Sequence, residues 1–408
     1  MRNRLAALSL ALFLLCLAVA IGGGLFWGNL QFSRNTHTGV EFLAVWKPAQ
    51  NFALQGISPY NVENTLEVQR LVYGRVARTG ERSFQFVLPF YFALLFFPLA
   101  SIRDFFLAHA LWMTLLQLAV SGLIVLSLRL SRWQASWFAL PLISLFAVFW
   151  QPGTLALVDG NLVLAQSLLV FGALRAIESE ADELAGALAA LGLISLRVSG
   201  LVLLLLAVWV FSTGRYRILA GFLMTITVLI AVAFLVYPGW FTEFFFSSII
   251  EWRTQVLPST FRSLEHWFPG LGTPLAQGLR AVAIVILFLE WQAVRGKGVH
   301  WLFWTASLTA VLTPWFGMKY APAWTAFSLP AIILVFSVMG QRWGLLGRLA
   351  ALLIGTALFV GLWQAYLSGF DSVFLFAYPP GMTLLLYWVR WWATRPPRLW
   401  ADMLTQGR

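Results

Sequence analysis

Apolar runs long enough to cross a bilayer recur along this chain, and the short connectors between them carry most of its cations. A crossing helix needs about 20 apolar residues, and short cytoplasmic loops retain Lys and Arg. Read together, these rules give about twelve crossings, at residues 5–27, 105–130, 134–150, 161–176, 184–196, 198–211, 216–237, 276–295, 299–316, 320–339, 345–367 and 372–392. With 60% apolar and 11% charged residues over 408 positions, the expected fold class is all-α, a polytopic membrane protein, and soluble enzymes are excluded. The excess of 27 Lys+Arg over 16 Asp+Glu would suggest a nucleic-acid partner on a soluble chain. Here the cations stand between apolar runs, so the excess is read as a topology signal and no nucleic acid is expected.

Arg2 and Arg4 start the first run in the cytoplasm. Ala18-Val19-Ala20 has the small-residue form of a signal-peptidase site, but the run continues through Trp27, so an uncleaved helix is expected. The stretch 84–101 is also apolar, yet counting it as a crossing would put Arg129 and Arg132 outside and invert every later basic loop. It is therefore read as lying along the outer surface or re-entering. That register places Arg175, Arg215, Arg217, Arg295, Lys297, Arg342, Arg348, Arg390, Arg395 and Arg398 inside, and both termini in the cytoplasm of a cell that carries the protein in its plasma membrane. The single cysteine, Cys16, lies in the first run, which excludes an internal disulfide.

Two outer segments are long, residues 28–104 and 238–275, and long external loops between hairpins usually carry function. The chain reads as one integral-membrane domain in which the first of these loops holds surface helices at 41–55 and 62–79 around the turn Gly56-Ile57-Ser58-Pro59. Arg70, Arg75 and Arg78 among apolar residues suit helices lying in the interface plane. Glu41 begins the first of them, where the helix dipole favours a carboxylate. It is either a helix-start acid or a base able to take a proton from an attacking hydroxyl.

An ionisable group in the hydrocarbon region costs about 2.5–3.5 kcal/mol on insertion scales, so each one asks for an explanation. Arg197 interrupts the apolar stretch 184–211 and suits the junction of two short helices, where a guanidinium can grip a phosphate or snorkel to the headgroups. Lys319 breaks the positive-inside pattern on a very short outer loop, next to Tyr320. Asp159-Gly160-Asn161 forms another outer turn. Arg262, Glu265 and His266 on the second long loop are candidates for the same cavity or simply a solvated face. His37, His109, His266 and His300 have no metal-ligand spacing, so no metal residues are assigned. No phosphate-binding loop, serine elbow, zinc-protease or kinase motif is present, which leaves chemistry that needs little apparatus, such as group transfer from an activated lipid-linked donor.

The order of Glu41, Phe42 and Trp46, then Gly56-Ile57-Ser58-Pro59-Tyr60, Phe84-Gln85-Phe86-Val87-Leu88-Pro89 with Pro98-Leu99, Gly160-Asn161-Leu162-Val163, Arg197, and Thr313-Pro314-Trp315 with Lys319-Tyr320 resembles the GT-C integral-membrane glycosyltransferases. It is most similar to glycosyltransferase family 87, enzymes that use polyprenyl-phosphate mannose. The resemblance spans nearly the whole chain, with departures: Glu41 stands for the usual Asp, Leu88-Pro89 for a Pro-Pro pair, and Arg197 for Lys. It implies an inverting hexosyltransferase, a mannosyltransferase first, that moves sugar from a polyprenyl phosphate to a glycolipid or glycan acceptor on the outer side. Glu41 would be the catalytic base. Arg197, Lys319, Arg262 and His266 would bind the donor phosphate, and Trp46, Tyr60, Asp159 and Asn161 the sugar or acceptor. Some relatives use a divalent metal, but no motif here supports one and no other cofactor is implied. A transporter or flippase of lipid-linked sugars, and an inactive scaffold, are the rival classes. A transporter predicts polar groups on both sides of the midplane.

Overall fold

A computed structural model describes residues 2–36, 38–254 and 257–394; His37, Arg395 and Arg398 lie outside the described residues. All regular structure among the described residues is helical. The helices run α1 (Arg2–Asn35), α2 (Val40–Gln55), α3 (Val62–Tyr73), α4 (Phe90–Ala100), α5 (Phe105–Leu130), α6 (Ala139–Phe149), α7 (Gln151–Val158), α8 (Val163–Glu178), α9 (Asp182–Leu191) and α10 (Leu196–Thr213). They continue as α11 (Tyr216–Val236), α12 (Trp240–Thr254), α13 (Thr260–Trp267), α14 (Gly272–Val294), α15 (Val299–Leu312), α16 (Leu329–Arg342), α17 (Gly344–Leu367), α18 (Val373–Phe376) and α19 (Tyr378–Thr394), with 3-10 turns at Thr313–Phe316 and Pro322–Ser328.

Among the described residues six helical segments are long and apolar enough to cross a membrane: α5, α10, α11, α14, Pro322–Arg342 and α17. A seventh is obtained if α6 and α7, bent by 63° at their junction, count as one broken span. The protein is therefore membrane-embedded and polytopic, and among the described residues helix length and composition support six or seven of the twelve expected crossings. For several of the others the apolar run is not matched by a helix of crossing length. An apolar run is not yet a helix: 299–316 stops at Leu312 where Thr313-Pro314 tightens into a 3-10 turn, and 134–150 is helical only from Ala139. At 16, 10, 14 and 17 residues, α8, α9, α15 and α19 fall short of a full crossing. In the stretch 84–101 the helix α4 is 11 residues long, about half a crossing.

The chain divides into two compact units. The first comprises residues 1–119, 157–161 and 233–254. In it α1 is tied to α5 by hydrogen bonds: Asn29 Nδ2 donates to Thr114 Oγ1 at 2.9 Å and to Gln117 Oε1 at 2.9 Å. Glycines in the left-handed region bound α2, Gly39 before it and Gly56 after it. Asn61 caps α3 by accepting from the Glu63 amide at 3.0 Å. Asn51 then joins α2 to α3, donating to Asn64 and to Glu67, each at 2.7 Å.

The second unit comprises residues 120–156, 162–232 and 255–408. Its centre is α15 and α16, buried on nearly all sides. Close backbone approach joins α9 to α11: a Cβ on Gly186 would lie 2.0 Å from the Ile218 carbonyl oxygen, and one on Gly221 2.3 Å from that of Glu183. Arg215 closes that corner, paired with Asp182 and donating to the Ile177 carbonyl at 3.1 Å. Glu290 of α14 accepts from Arg390 at 2.5 Å and from Tyr387 at 2.9 Å. The Arg390 guanidinium lies over the Trp304 ring at 4.4 Å, so its charge is matched on both sides.

Candidate functional site

The first unit holds a cluster of charge built from four separated stretches of chain, none of them in a spanning helix. Glu41 stands in the first turn of α2, and both of its carboxylate oxygens accept from Arg82, with Arg82 Nη2 to Oε2 at 2.9 Å. The two side chains are 22% and 31% exposed, which leaves the pair open from one side. Arg82 is held by its own loop: Glu81 next to it accepts from Arg75 at 2.6 and 2.7 Å and from the Arg78 amide at 2.8 Å. The hydrogen bond from Arg75, then that from Arg78, holds the Glu81 carboxyl down to about 2. The Arg82 guanidinium also lies 5.1 Å from the centre of the Phe84 ring.

Asp159 is the third member. The Phe42 amide donates to the Asp159 carbonyl at 3.0 Å, which ties the turn after α7 to the first turn of α2. Two more contacts fix that turn, Trp112 Nε1 donating to the Gly160 carbonyl at 2.8 Å and His109 Nε2 meeting the Val158 carbonyl at 3.1 Å, and His109 is itself held by Ser33 at Nδ1, 2.9 Å away. Burial, and then the negative charge of Glu41, push the Asp159 carboxyl up from 3.8 to about 6; Arg82 opposes this without cancelling it. Glu251 of α12, 6% exposed, is the fourth member. Burial disfavours the charge on Arg82, but Glu41 and the fields of Glu251 and Asp159 outweigh that, and its pKa is raised. One guanidinium thus acts on three carboxylates, and of these Asp159 has its proton affinity raised to near pH 6.

This arrangement gives a pH prediction with a definite sign. Because the folded pKa of Asp159 lies above its ordinary value, folding favours the protonated form, and that stability is lost as pH rises from about 4 to about 6. The thermal midpoint of Asp159→Asn minus that of the wild type should rise across this window and stay level above it. A flat difference curve would show that Asp159 titrates normally.

The other residues expected at a site divide between the units. Trp46 is 4% exposed, stacks on Phe42 and donates to the Leu99 carbonyl at 3.0 Å, so it packs α2 rather than offering a face to a sugar. Tyr60, 7% exposed, donates to the Leu88 carbonyl at 2.7 Å and packs edge-on against Phe86. Burial, and then the charge of Glu243, push its hydroxyl up. Asn161 is buried directly after the Gly160 turn. Arg197, Arg262, His266 and Lys319 belong to the second unit. Arg197 is half-buried in the first turn of α10, whereas Arg262 and His266 are exposed on α13. The Tyr320 amide donates to the Pro258 carbonyl at 2.9 Å, laying the Lys319 loop beside the entry to α13.

Arg280 of α14 completes this basic region, 4.8 Å over the Phe261 ring. A Cβ on Gly317, in the left-handed region at φ 77°, would lie 2.4 Å from its Nη2.

Sequence reasoning missed Arg82, Glu251 and Arg280. The available signal for Arg82 was the need of Glu41 for a cation, with Arg82 standing just before the Phe84-Gln85-Phe86 segment. Among the described residues no group of three His, Cys, Asp or Glu side chains is arranged to hold a metal ion. Neither a family model, a curated protein nor a solved structure matches this chain.

Proposed function

We propose that the protein is an inverting membrane glycosyltransferase that moves a hexose, mannose first, from a polyprenyl phosphate to a glycolipid or glycan acceptor on the outer side of the plasma membrane. Both termini would be cytoplasmic, and twelve crossings would require α1 and the short helices α8, α9, α15 and α19 to lie in hydrocarbon along with the seven segments above. The observation that carries the reading is the Glu41–Arg82 pair outside the spanning helices, beside the Asp159 carboxyl whose pKa is pushed up to about 6. Transfer to a hydroxyl needs a proton acceptor poised near the working pH and a cation that neutralises the leaving phosphate. The resemblance supplies the sugar and the carrier.

Within this reading Arg82 holds Glu41, and Asp159 takes the proton of the attacking hydroxyl, because both oxygens of Glu41 are already engaged. Arg197 and Lys319, helped by Arg262 and His266, would receive the donor phosphate. The test is transfer of radiolabelled mannose from a polyprenyl phosphate into lipid extracts by purified wild type, Glu41→Gln and Asp159→Asn at matched folding. Wild-type turnover with an acid limb near pH 6 that disappears in Asp159→Asn supports the assignment. An acid limb that survives in Asp159→Asn and is lost in Glu41→Gln returns the base to Glu41. No turnover in any protein, together with lipid-linked sugar flipping in vesicles, replaces the transferase with a transporter.

A further inference from the structure

In the second unit, α6, α16 and α17 enclose an elongated groove of about 630 Å³, within the usual range for small-molecule sites. Its walls are apolar, with Ile143, Phe149, Phe336, Leu352 and Phe359 among them, and Arg348 is the one charged residue in its lining. From Arg348 to Phe359 the groove follows α17 for 11 residues, about 16 Å at the helical rise. That is about half the roughly 30 Å hydrocarbon thickness of a bilayer, the depth of a single leaflet. The opposite wall agrees, since α6 contributes lining residues from Ala139 to Phe149.

The charge lies at one end only. Arg348 is exposed in the second turn of α17. Trp133, also in the lining, follows Arg132, whose carbonyl accepts from Gln341 at 3.3 Å, and Arg342 ends α16. Basic residues therefore crowd the sequence positions around the Arg348 end, no acidic side chain lines the groove, and toward Phe149 and Phe359 the lining is uncharged, with Thr356 its polar side chain. Room for a chain is kept by small residues: a Cβ on Gly340 would come within 3.3 Å of the Trp133 ring, and one on Gly355 within 3.3 Å of Phe336.

We propose that this groove is a binding site for one anionic phospholipid of the bilayer, with an acyl chain along α17 and the phosphate paired with Arg348. A basic mouth on a cleft between membrane helices is the arrangement that selects anionic headgroups. A zwitterionic lipid brings its own ammonium to compete for the phosphate and gains less from Arg348. The proposal does not depend on the transferase reading, because it concerns a lining that shares no residue with the Glu41 cluster.

The test is native mass spectrometry of the full chain, released from micelles containing equal amounts of dioleoylphosphatidylglycerol and dioleoylphosphatidylcholine. The wild type should retain the glycerol lipid over the choline lipid by about fivefold, the ratio expected of one Arg–phosphate contact at a membrane surface. In Arg348→Gln that ratio should fall to near one while a lipid adduct persists, and Arg348→Lys should restore part of it. Ala351→Phe, which fills the groove, should remove the adduct of both lipids. No preference in the wild type, a preference unchanged in Arg348→Gln, or an adduct that survives Ala351→Phe overturns the proposal.

Discussion

Arg82→Met should destabilise the protein by about 1–3 kcal/mol, between the cost of breaking a buried ion pair and that of losing an exposed one, because the pair is partly open to solvent. Without the guanidinium, Glu41 loses the cation that holds both of its oxygens while it still faces Asp159. Asp159 loses the one influence that lowers its pKa, so its acid limb should move further above pH 6. The decisive comparison is a double-mutant cycle by thermal unfolding in one detergent: Arg82→Met, Glu41→Gln and the combination. Removing Glu41 from the Arg82→Met background should recover part of the loss, since it relieves an unpaired charge. Strict additivity would mean that the two side chains meet without energetic consequence. Arg82→Lys separates charge from geometry. It keeps the cation but gives up the two-pronged grip on Glu41, so it should hold most of the stability while the pH limb shifts.

The membrane class was legible in the chain because apolar content and cation placement are set residue by residue. The number of crossings was not, because it depends on where helices stop. Leu312 ends α15 where Thr313-Pro314 tightens into a 3-10 turn, and the 63° bend between α6 and α7 falls where the apolar run 134–150 meets Gln151-Pro152-Gly153, after which the chain turns helical again. Glu41 and Asp159 could be picked out as carboxylates near apolar sequence, but what joins them is a backbone hydrogen bond between residues 42 and 159. No spacing rule reaches across that interval. Trp46 and Tyr60 show the converse limit. Aromatic residues near a candidate base look like sugar platforms in sequence, and only their burial and their hydrogen bonds to Leu99 and Leu88 reveal them as packing.

Gly160→Ala should be a strongly damaging single-methyl change at the site. Gly160 sits in the left-handed region at φ 69°, which costs a residue with a Cβ about 1–2 kcal/mol. The methyl would also lie 2.7 Å from Cβ of Phe42 and 3.0 Å from the Trp112 ring. Phe42 is 1% exposed and cannot give way without disturbing α2, so overpacking adds about 1–3 kcal/mol. Gly74→Ala is the control. It shares the backbone geometry at φ 70°, after α3 in the same unit, but a Cβ there meets nothing within 4 Å, so it pays the backbone cost alone. Chemical unfolding should therefore separate the two variants by the overpacking contribution. Gly160→Ala should also weaken the bond between the Phe42 amide and the Asp159 carbonyl, let water reach the Asp159 carboxyl, and lower its pKa toward the ordinary carboxylate range. Transfer activity that falls in Gly160→Ala but not in Gly74→Ala, with the acid limb moved below pH 6, would tie the turn to the chemistry. Equal destabilisation of the two variants would show that the turn tolerates the methyl and that Phe42 does not hold Asp159 in place.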